Sequence, residues 1–128
     1  MPEFSEVSLA RLASCHPDLQ TLFMEVIKGV DCAILEGHRG QEAQEEAFKK
    51  GCSQLHYPNS KHNKSPSLAV DVAPYPIDWD NLEGFKDFAQ YVKRIIALLK
   101  SEEKISHDID WGGDWIGFKD YPHWEIVS

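Results

Sequence analysis

The stretch Leu68-Ala-Val-Asp-Val-Ala73 decides the predicted fold. Aliphatic residues at positions 68, 70 and 72 alternate with Ala69, Asp71 and Ala73, which is the period of a strand that buries one face. Asp71 therefore points away from the aliphatic face, towards whatever the preceding segment encloses. That segment, residues 51–67, is a non-periodic run rich in Ser, Asn, Pro, His and Lys. It predicts a long loop, and loops of this length in compact domains are usually functional.

The part of the chain before this strand is predicted to be mainly helical. Ser8 is placed to cap a short helical turn, and Pro17 begins a stronger helix that ends near Gly29. Residues 32–35 are an apolar run of strand length. Residues 41–50 are polar and favour a helix, with a glycine directly after them as its C-terminal stop.

The second half of the chain combines one long helix with short strands. Asp80 is placed as the helix cap, with Glu83 three residues later in an approximate capping box. The apolar stripe of this helix predicts a core-facing surface made of Leu82, Phe85, Phe88, Ala89, Val92, Ile95, Ile96 and Leu99. Strands are expected over residues 105–111 and 123–127, with a turn at 112–115. Residues 1–128 are therefore predicted to form a single α+β domain, with a small antiparallel sheet packed against helices.

Composition disfavours several classes of function. The net charge of −8 argues against nucleic acid as a partner and provides no polybasic patch for an anionic membrane surface. No stretch approaches the ~20 apolar residues that cross a bilayer. The N-terminal Met-Pro-Glu-Phe-Ser-Glu lacks the pattern of a signal peptide, so synthesis in the cytoplasm without membrane insertion is expected. Three cysteines cannot all pair, which is typical of a reducing compartment or of buried thiols.

Two histidines and one aspartate, far apart in the chain, are the residue types that hold a catalytic zinc ion. Such an ion typically has three protein ligands from His and carboxylate, with a water in the fourth position. His62 lies in the long loop, Asp71 on the strand after it, and His123 on the last predicted strand. Asp120 could take a proton from that water. Glu125, on the same strand face as His123, competes for this role or is an acceptor that fixes the histidine ring.

Other residues leave alternatives open. Cys52, His56 and His62 share one loop and could form part of a structural zinc site, although closed sites favour four ligands and often paired cysteines. Arg39 is the best candidate to stabilise an oxyanion or to bind a substrate carboxylate, its alternative being a surface salt bridge. Structural or surface roles are expected for the remaining histidines, which are His16, His38, His56 and His107.

Four short motifs occur in order along the chain: Gly37-His-Arg39 with Gln44, Ser60-Lys-His62, Ala69-Val-Asp71 and Asp120-Tyr-Pro-His123. Together they resemble the zinc D-Ala-D-Ala peptidase family, which includes VanX- and VanY-type peptidases and phage L-alanyl-D-glutamate endopeptidases. The Trp-Gly-Gly-Asp-Trp run at 111–115 resembles the segment that often precedes the last motif of that family. The resemblance covers about residues 30–128, most of the chain.

This resemblance implies a fold, a cofactor and a substrate. The fold is the compact α+β fold shared by the Hedgehog signalling domain and the D,D-peptidases. The implied site residues are the Zn²⁺ ligands His62, Asp71 and His123, the general base Asp120, the carbonyl-polarising Arg39, and the substrate-binding Ser60 and Gln44. The implied substrate is the stem peptide of peptidoglycan. It would be cut by a monomer that is made in the host cytoplasm and acts at the cell wall.

Two departures from the family pattern bear on the substrate. Eight residues, Asn63 to Val70, separate His62 from Asp71, more than is usual, and none of them is glycine. The loop must therefore bulge at the mouth of the site. The base is Asp rather than Glu, as in the phage endopeptidases, which favours a phage-type endolysin that cleaves the L-Ala–D-Glu bond. The alternatives are a bacterial D-alanyl-D-alanine carboxypeptidase or dipeptidase, and a non-catalytic zinc domain that binds wall peptides or a protein partner.

Overall fold

The computed structural model describes residues 2–127. The helices in this range are α1 (Glu6–Ala13), α2 (Pro17–Val26), α3 (Gln41–Lys49) and α4 (Leu82–Ser101). The strands are β1 (Cys32–Glu36), β2 (Ala69–Pro74), β3 (Ile109–Trp111) and β4 (His123–Ile126). Two 3-10 turns, Lys61–Asn63 and Gly112–Asp114, precede β2 and follow β3. Within residues 2–127, no helix combines the length and the apolar composition that a membrane crossing needs.

Neighbouring strands of the sheet are all antiparallel, in the order β1-β2-β4-β3. The central strands β2 and β4 place Asp71 opposite His123 and Ala69 opposite Glu125. The prediction of an α+β fold with a small antiparallel sheet is confirmed. Its consequence for function is that two of the candidate metal ligands are cross-strand neighbours at the centre of the sheet.

Strand β3 is shorter than the sequence predicts. The expected strand over residues 105–111 is correct only for 109–111, which pair with β4. The backbone N–H groups of Ser106 and His107 donate instead to Asp18 Oδ2, at 3.0 and 3.1 Å. Because Asp18 of α2 already holds these amide groups, Ser106 and His107 do not join the ladder.

The two predicted helix caps, Ser8 and Asp80, are both wrong. Ser5, not Ser8, caps α1, since its side chain accepts the Ser8 N–H at 3.1 Å. Ser8 is buried inside the helix, and its Oγ accepts the N–H of Ile34 on β1 at 3.0 Å. Asn81, not Asp80, caps α4 by accepting an N–H from the first turn of the helix. In each case a nearby polar residue is equally capable of capping, and for α1 the long-range bond from Ile34 engages the side chain of Ser8.

The core lies where α2 and α4 pack on each other and on the sheet. The buried residues of these helices are Leu19, Leu22, Phe23 and Val26 of α2, with Phe85, Phe88, Ala89, Val92, Ile96 and Leu99 of α4. Full burial of such a side chain contributes roughly 1.5–3 kcal/mol. Trp124 of β4 packs edge-on against Phe23, with ring centroids 6.3 Å apart. Leu82 departs from the predicted core stripe, because it is 43% exposed at the start of α4.

The segment 51–67 is a loop, as predicted, apart from its 3-10 turn. Gly51 ends α3 with a positive φ of 76°, a conformation that glycine adopts without strain. The turn is held by a reciprocal capping box, in which Asn63 Oδ1 accepts the Ser60 N–H at 3.0 Å. This turn rigidifies the end of the loop that carries His62.

Candidate metal centre

Three side chains converge where the loop meets the middle of the sheet: His62, Asp71 and His123. Each offers one ligand atom, and these atoms all lie within 4.8 Å of one another. Asp71 Oδ1 is 3.2 Å from both His62 Nε2 and His123 Nδ1. Two imidazoles and a carboxylate are a donor set that zinc accepts with a coordination position left open. The residues present therefore fit the ion that the sequence predicts.

The backbone places these three groups from two directions. Cross-strand pairing puts Asp71 of β2 beside His123 of β4. His62 comes from the 3-10 turn, where Ser60 Oγ accepts its backbone N–H at 3.2 Å. The His62 Nδ1–H donates to the carbonyl oxygen of Gly37 at 2.8 Å, which turns Nε2 towards Asp71. This bond sets both the ring orientation and the tautomer of His62.

The ring of His123 is held by Glu125. Its Nε2 lies 2.8 Å from Glu125 Oε1, so Nδ1 faces Asp71. The other oxygen of Glu125 pairs with Lys61 Nζ at 2.9 Å. Burial raises the pKa of Glu125, but the bonds from His123 and Lys61 outweigh it and hold that pKa below its ordinary value. Both oxygens of Glu125 are engaged, which fits an acceptor that fixes a ring better than a general base.

Asp71 and the two histidines strongly affect one another's pKa values. Burial raises the pKa of Asp71, but the interactions with His123 and His62 outweigh this effect and hold the pKa well below its ordinary range. Burial lowers the pKa of His123, but the bonds to Asp71 and Glu125 dominate and raise it to about 9. Asp71 is therefore a carboxylate at neutral pH. A metal ion bound at His123 Nδ1 would take the place of the proton on that nitrogen.

Asp120 lies beside this cluster with a different electrostatic setting. Its Oδ2 is 3.8 Å from His123 Nδ1. Burial and the negative charge of Asp71 raise the pKa of Asp120 to about 6. A carboxyl group with a pKa near neutrality is suited to accept and return a proton. The two carboxylates near His123, Asp120 and Glu125, are thus distinguished by their surroundings.

Gly112 allows Asp120 and His123 to approach the turn after β3. The Asp120 N–H donates to the Gly112 carbonyl oxygen at 3.1 Å. A Cβ atom at position 112 would lie 2.3 Å from the Asp120 carbonyl oxygen and 3.0 Å from His123 Cβ. Any side chain there would therefore push the general-base candidate away from the metal ligands. The Trp-Gly-Gly-Asp-Trp run is the only sequence signal that points to this position.

Arg39 forms the ion pair of the alternative interpretation, with Glu36, but it lies buried at the centre and not at the surface, with 7% of its surface exposed. Its Nε donates to Glu36 Oε1 at 2.5 Å and its Nη1 donates to Gln44 Oε1 at 2.9 Å. Its Nη2 lies 3.7 Å from Asp71 Oδ2. Gln44 is fully buried behind the guanidinium, and its Nε2 donates to the Leu55 carbonyl oxygen at 2.6 Å. Gln44 therefore holds Arg39 and the loop together.

Asn63 is a site residue that the sequence reasoning missed. Its Nδ2 donates to the Arg39 carbonyl oxygen at 2.9 Å and to Gln44 Oε1 at 3.2 Å. Its Oδ1 accepts the Ser60 N–H in the capping box. Asn63 thus ties the turn that carries His62 to the segment that carries Arg39. Its position three residues after Ser60, the spacing of a capping box, was the available signal.

Two adjoining lobes of a cleft open at this centre. The histidine lobe, of about 390 Å³, is lined by His62 and His123 with Ser53, Asn59, Lys61 and Trp115 among its other residues. The aromatic lobe, of about 330 Å³, is lined by Asp71 with Trp79, Leu82, Phe85, Tyr121 and Pro122 among its other residues. Arg39, Cys52, Phe118 and Asp120 line both lobes. A ligand in either lobe therefore reaches the same reacting centre.

The rival zinc set in the loop does not assemble. His56 packs on the ring of Phe48, with centroids 3.7 Å apart, and pairs with Glu45 Oε2 at 2.8 Å. Cys52 is exposed and belongs to the cleft wall instead. Within residues 2–127, the groups whose donors lie close enough for a metal do not include Cys52 or His56.

A second histidine cluster joins α2 to the segment before β3. His16, Asp18 and His107 bring potential ligand atoms within 4.8 Å of one another. Asp18 Oδ2 already accepts the His107 Nδ1–H at 2.7 Å in addition to the two backbone N–H groups. His16 Nδ1 accepts the Asp18 N–H at 3.0 Å as the cap of α2. These bonds agree with the structural roles expected of His16 and His107, although the sequence did not predict their contact.

Comparison with known proteins identifies the family of this chain. Residues 2–126 match the family model described as phage L-alanyl-D-glutamate peptidase. The chain belongs to this family. It is also similar to the peptidoglycan L-alanyl-D-glutamate endopeptidase CwlK of Bacillus subtilis, at 34% identity over an alignment of 116 residues that covers 78% of this chain. The chain spans 63% of the length of that relative.

Among solved structures, this member of the phage L-alanyl-D-glutamate peptidase family resembles the L-Ala D-Glu endopeptidase ChiX of Serratia marcescens. The TM-score is 0.78 at 26% sequence identity. The match covers 98% of this chain and 90% of ChiX. The predicted fold class and the predicted family relationship are both confirmed by these comparisons.

Proposed function

We propose that this protein is a zinc-dependent peptidoglycan endopeptidase of the phage endolysin type, which cleaves the L-Ala–D-Glu bond of stem peptides. The observation that carries the proposal is the convergence of His62, Asp71 and His123 beside Asp120, at the junction of two cleft lobes, in a chain of this family. The names of both relatives specify the same bond. Every group that the proposal uses comes from one chain, so a monomer suffices.

The zinc ion would be held by His62 Nε2, His123 Nδ1 and the Asp71 carboxylate. Such an ion, when bound, acts as a Lewis acid that activates water and polarises a carbonyl oxygen. The Gly37 carbonyl oxygen and Glu125 hold the two rings so that these nitrogens face the site. The low pKa of Asp71 keeps its carboxylate ionised and ready to bind a cation at neutral pH.

Asp120 is the proposed general base. With a pKa of about 6, its carboxyl group is mostly ionised at pH 7. A cation held by Asp71 would favour the ionised form further. Asp120 would accept a proton from the attacking water while the oxygen of that water bonds to the alanine carbonyl carbon. It would then pass the proton to the glutamate nitrogen as the C–N bond breaks, so that the products are a carboxylic acid and a free amine.

Arg39 is the proposed group that polarises the scissile carbonyl or holds a substrate carboxylate. Its planar guanidinium is buried at the junction of the lobes and is fixed on two sides by Glu36 and Gln44. Such preorganised donors stabilise developing negative charge more effectively than mobile ones. The proposed role of Gln44 is to orient Arg39, and that of Ser60, which lines the histidine lobe, is to support His62 and the adjacent substrate backbone.

Digestion of purified peptidoglycan tests the proposal directly. Mass spectrometry of the products should reveal a new free amino group on D-Glu, and a zinc chelator should abolish its appearance. Release of D-Ala without new D-Glu termini would favour a D,D-carboxypeptidase instead. Absence of any chelator-sensitive cleavage would leave only a binding function for the zinc site.

A further inference from the structure

We propose that the aromatic lobe binds the sugar-bearing half of the substrate, the N-acylated muramoyl group joined to L-alanine, while the histidine lobe takes the half that follows the scissile bond. This inference rests on the proposed function and adds the direction in which the substrate lies. It assigns Trp79 as a specificity-determining residue that contacts the sugar.

The aromatic lobe is continuous with the reacting centre. Arg39 and Asp120, the groups proposed to act on the scissile bond, line both lobes, and Asp71 also lines the aromatic lobe. A substrate that extends to both sides of the scissile bond can therefore occupy both lobes. The remaining question is which half of the substrate each lobe suits.

Trp79 presents an aromatic surface to solvent in this lobe. Its side chain is 57% exposed, and its ring stacks on Phe85 with centroids 5.5 Å apart and an interplanar angle of 19°. Phe85 is itself 2% exposed, so the indole rests on a fixed base in the core. Leu82 extends the apolar surface, which explains why the first residue of the α4 stripe is not buried. An exposed, immobilised aromatic face beside a catalytic centre is the surface on which the C–H face of a sugar ring packs.

The charges of the two lobes do not distinguish them. Both lobes contain Arg39 and Asp120, and each adds one carboxylate and one lysine that is already engaged. Lys119, in the aromatic lobe, donates to the carbonyl oxygen of Trp115 at 2.7 Å, and Lys61, in the histidine lobe, pairs with Glu125 at 2.9 Å. The muramoyl-alanine half of a stem peptide carries only an ether, amides and hydroxyl groups near the scissile bond, and it can occupy such a lobe without an unpaired charge.

The half that follows the scissile bond has the opposite chemistry. In a stem peptide, D-Glu and the residues after it carry free carboxylates. The histidine lobe adds the polar side chains of Ser53, Gln54 and Asn59 to the shared Arg39. Apart from its charged residues, the aromatic lobe is lined by apolar and aromatic residues. Hydrogen-bond donors therefore lie mainly on the side of the histidine lobe, where they suit the carboxylates.

A pair of substrates that differ only in the sugar tests the inference with the zinc-loaded full chain. One is an N-acetylmuramoyl stem peptide, and the other is the same peptide with N-acetyl-L-alanine at its start. We expect Trp79→Ala to lower kcat/KM for the sugar-bearing substrate by about tenfold, the loss of one well-packed aromatic contact. The same variant should leave the N-acetyl peptide within about twofold of the wild-type value. Trp79→Phe should recover part of the loss.

Tyr75→Ala is the matched control. Tyr75 is 59% exposed in the same segment between β2 and α4 but does not line the aromatic lobe. This variant should leave both substrates unchanged. Thermal unfolding of each variant checks that the fold is intact. Equal losses on both substrates for Trp79→Ala, or no loss on the sugar-bearing one, would overturn the assignment.

Calorimetric titration with N-acetylmuramoyl-L-alanine separates this inference from the proposed function. Weaker binding of the compound to Trp79→Ala than to the wild type and to Tyr75→Ala supports the sugar site even when neither peptide is cleaved. Failure of the wild type to cleave either peptide would overturn the proposed function alone. Equal binding of the compound to the wild type and to Trp79→Ala would overturn the sugar site.

Discussion

His123 Nε2 and Glu125 Oε1 lie 2.8 Å apart on one face of β4, and this bond directs the other ring nitrogen of His123 towards Asp71. Lys61 engages the second oxygen of Glu125 at 2.9 Å. The arrangement assigns different tasks to the two carboxylates that the sequence places near His123. In the proposed reaction, Glu125 holds the ring of His123 and Asp120 moves protons.

Substitution of Glu125 should weaken metal binding. Without its acceptor the His123 ring can rotate, and loss of such a partner typically lowers metal affinity by about 10–100-fold. Glu125→Ala should show this loss in a competition titration with a chromophoric chelator, and Glu125→Gln a smaller one because its amide oxygen still accepts. Glu42→Gln, an exposed carboxylate outside the cleft, is the control. Unchanged affinity in Glu125→Ala would contradict the positioning role.

Asp120→Asn should separate chemistry from metal binding. The variant keeps the ligand set, so zinc should be retained, whereas loss of a general base lowers kcat by about 10²-fold or more. Two measurements on the same preparation check these expectations: its zinc content and its rate of stem-peptide cleavage. The assignment of the base fails if Asp120→Asn stays active while Glu125→Gln is inactive.

Gly112→Ala should displace the base and destabilise the fold. The added methyl group would meet the Asp120 carbonyl oxygen at 2.3 Å, which is backbone and cannot swing away. Such overpacking costs about 1–3 kcal/mol. The midpoint urea concentration of unfolding and the cleavage rate should both fall. Gly40→Ala, where a Cβ atom meets nothing within 4 Å, should change neither strongly. Equal behaviour of the two variants would refute the requirement for close approach at position 112.

Asp18→Asn should reduce stability in a manner that depends on pH. Burial raises the pKa of Asp18, but the bonds from His107 and from the backbone N–H groups of Ser106 and His107 outweigh it and lower the pKa below 3.8. A carboxyl group with a lowered pKa in the folded state stabilises the fold above its ordinary pKa. That contribution is lost as the pH falls through the lower folded value.

The stability difference between wild type and Asp18→Asn should therefore be full at pH 6 and shrink below about pH 4. Urea unfolding at a series of pH values measures it, and we expect roughly 1 kcal/mol or somewhat more at neutral pH for a partly buried acceptor with three donors. Asp31→Asn, an exposed aspartate near β1, is a suitable control. A difference that does not vary with pH would show that the hydrogen bonds persist in the protonated form.

Cys52 should be the reactive thiol of the folded protein. Burial raises the pKa of both the Cys15 and the Cys32 thiol to about 12, whereas Cys52 is exposed on the wall shared by the two lobes. A bulky maleimide at pH 8 should label one thiol per native chain and block cleavage by filling the cleft. Cys52→Ser should be cleavage-competent and resist the reagent, and labelling of native Cys52→Ser would contradict this account.

Much of the fold could be predicted because its signals are local. The alternation around Asp71 identifies β2, Pro17 marks the start of α2, and Gly51 ends α3. The caps were mistaken where two polar neighbours can both cap. Ser5 was missed because the sequence does not reveal that Ser8 is needed to bind the backbone of β1.

The sequence by itself determined the residue types of the centre, their order and the strand face on which Asp71 and His123 lie, because alternation and motif spacing are properties of the chain. Only the tertiary structure decided which nitrogen of His62 faces the site, since the Gly37 carbonyl oxygen that orients its ring comes from another segment. For His123, whose partner Glu125 lies two residues away, it decided between the two roles that the sequence left open for that carboxylate. The division of labour between Asp120 and Glu125 depends in the same way on burial and on Lys61. The aromatic lobe, too, exists only where the start of α4 meets the segment after β3, and no local pattern encodes that meeting.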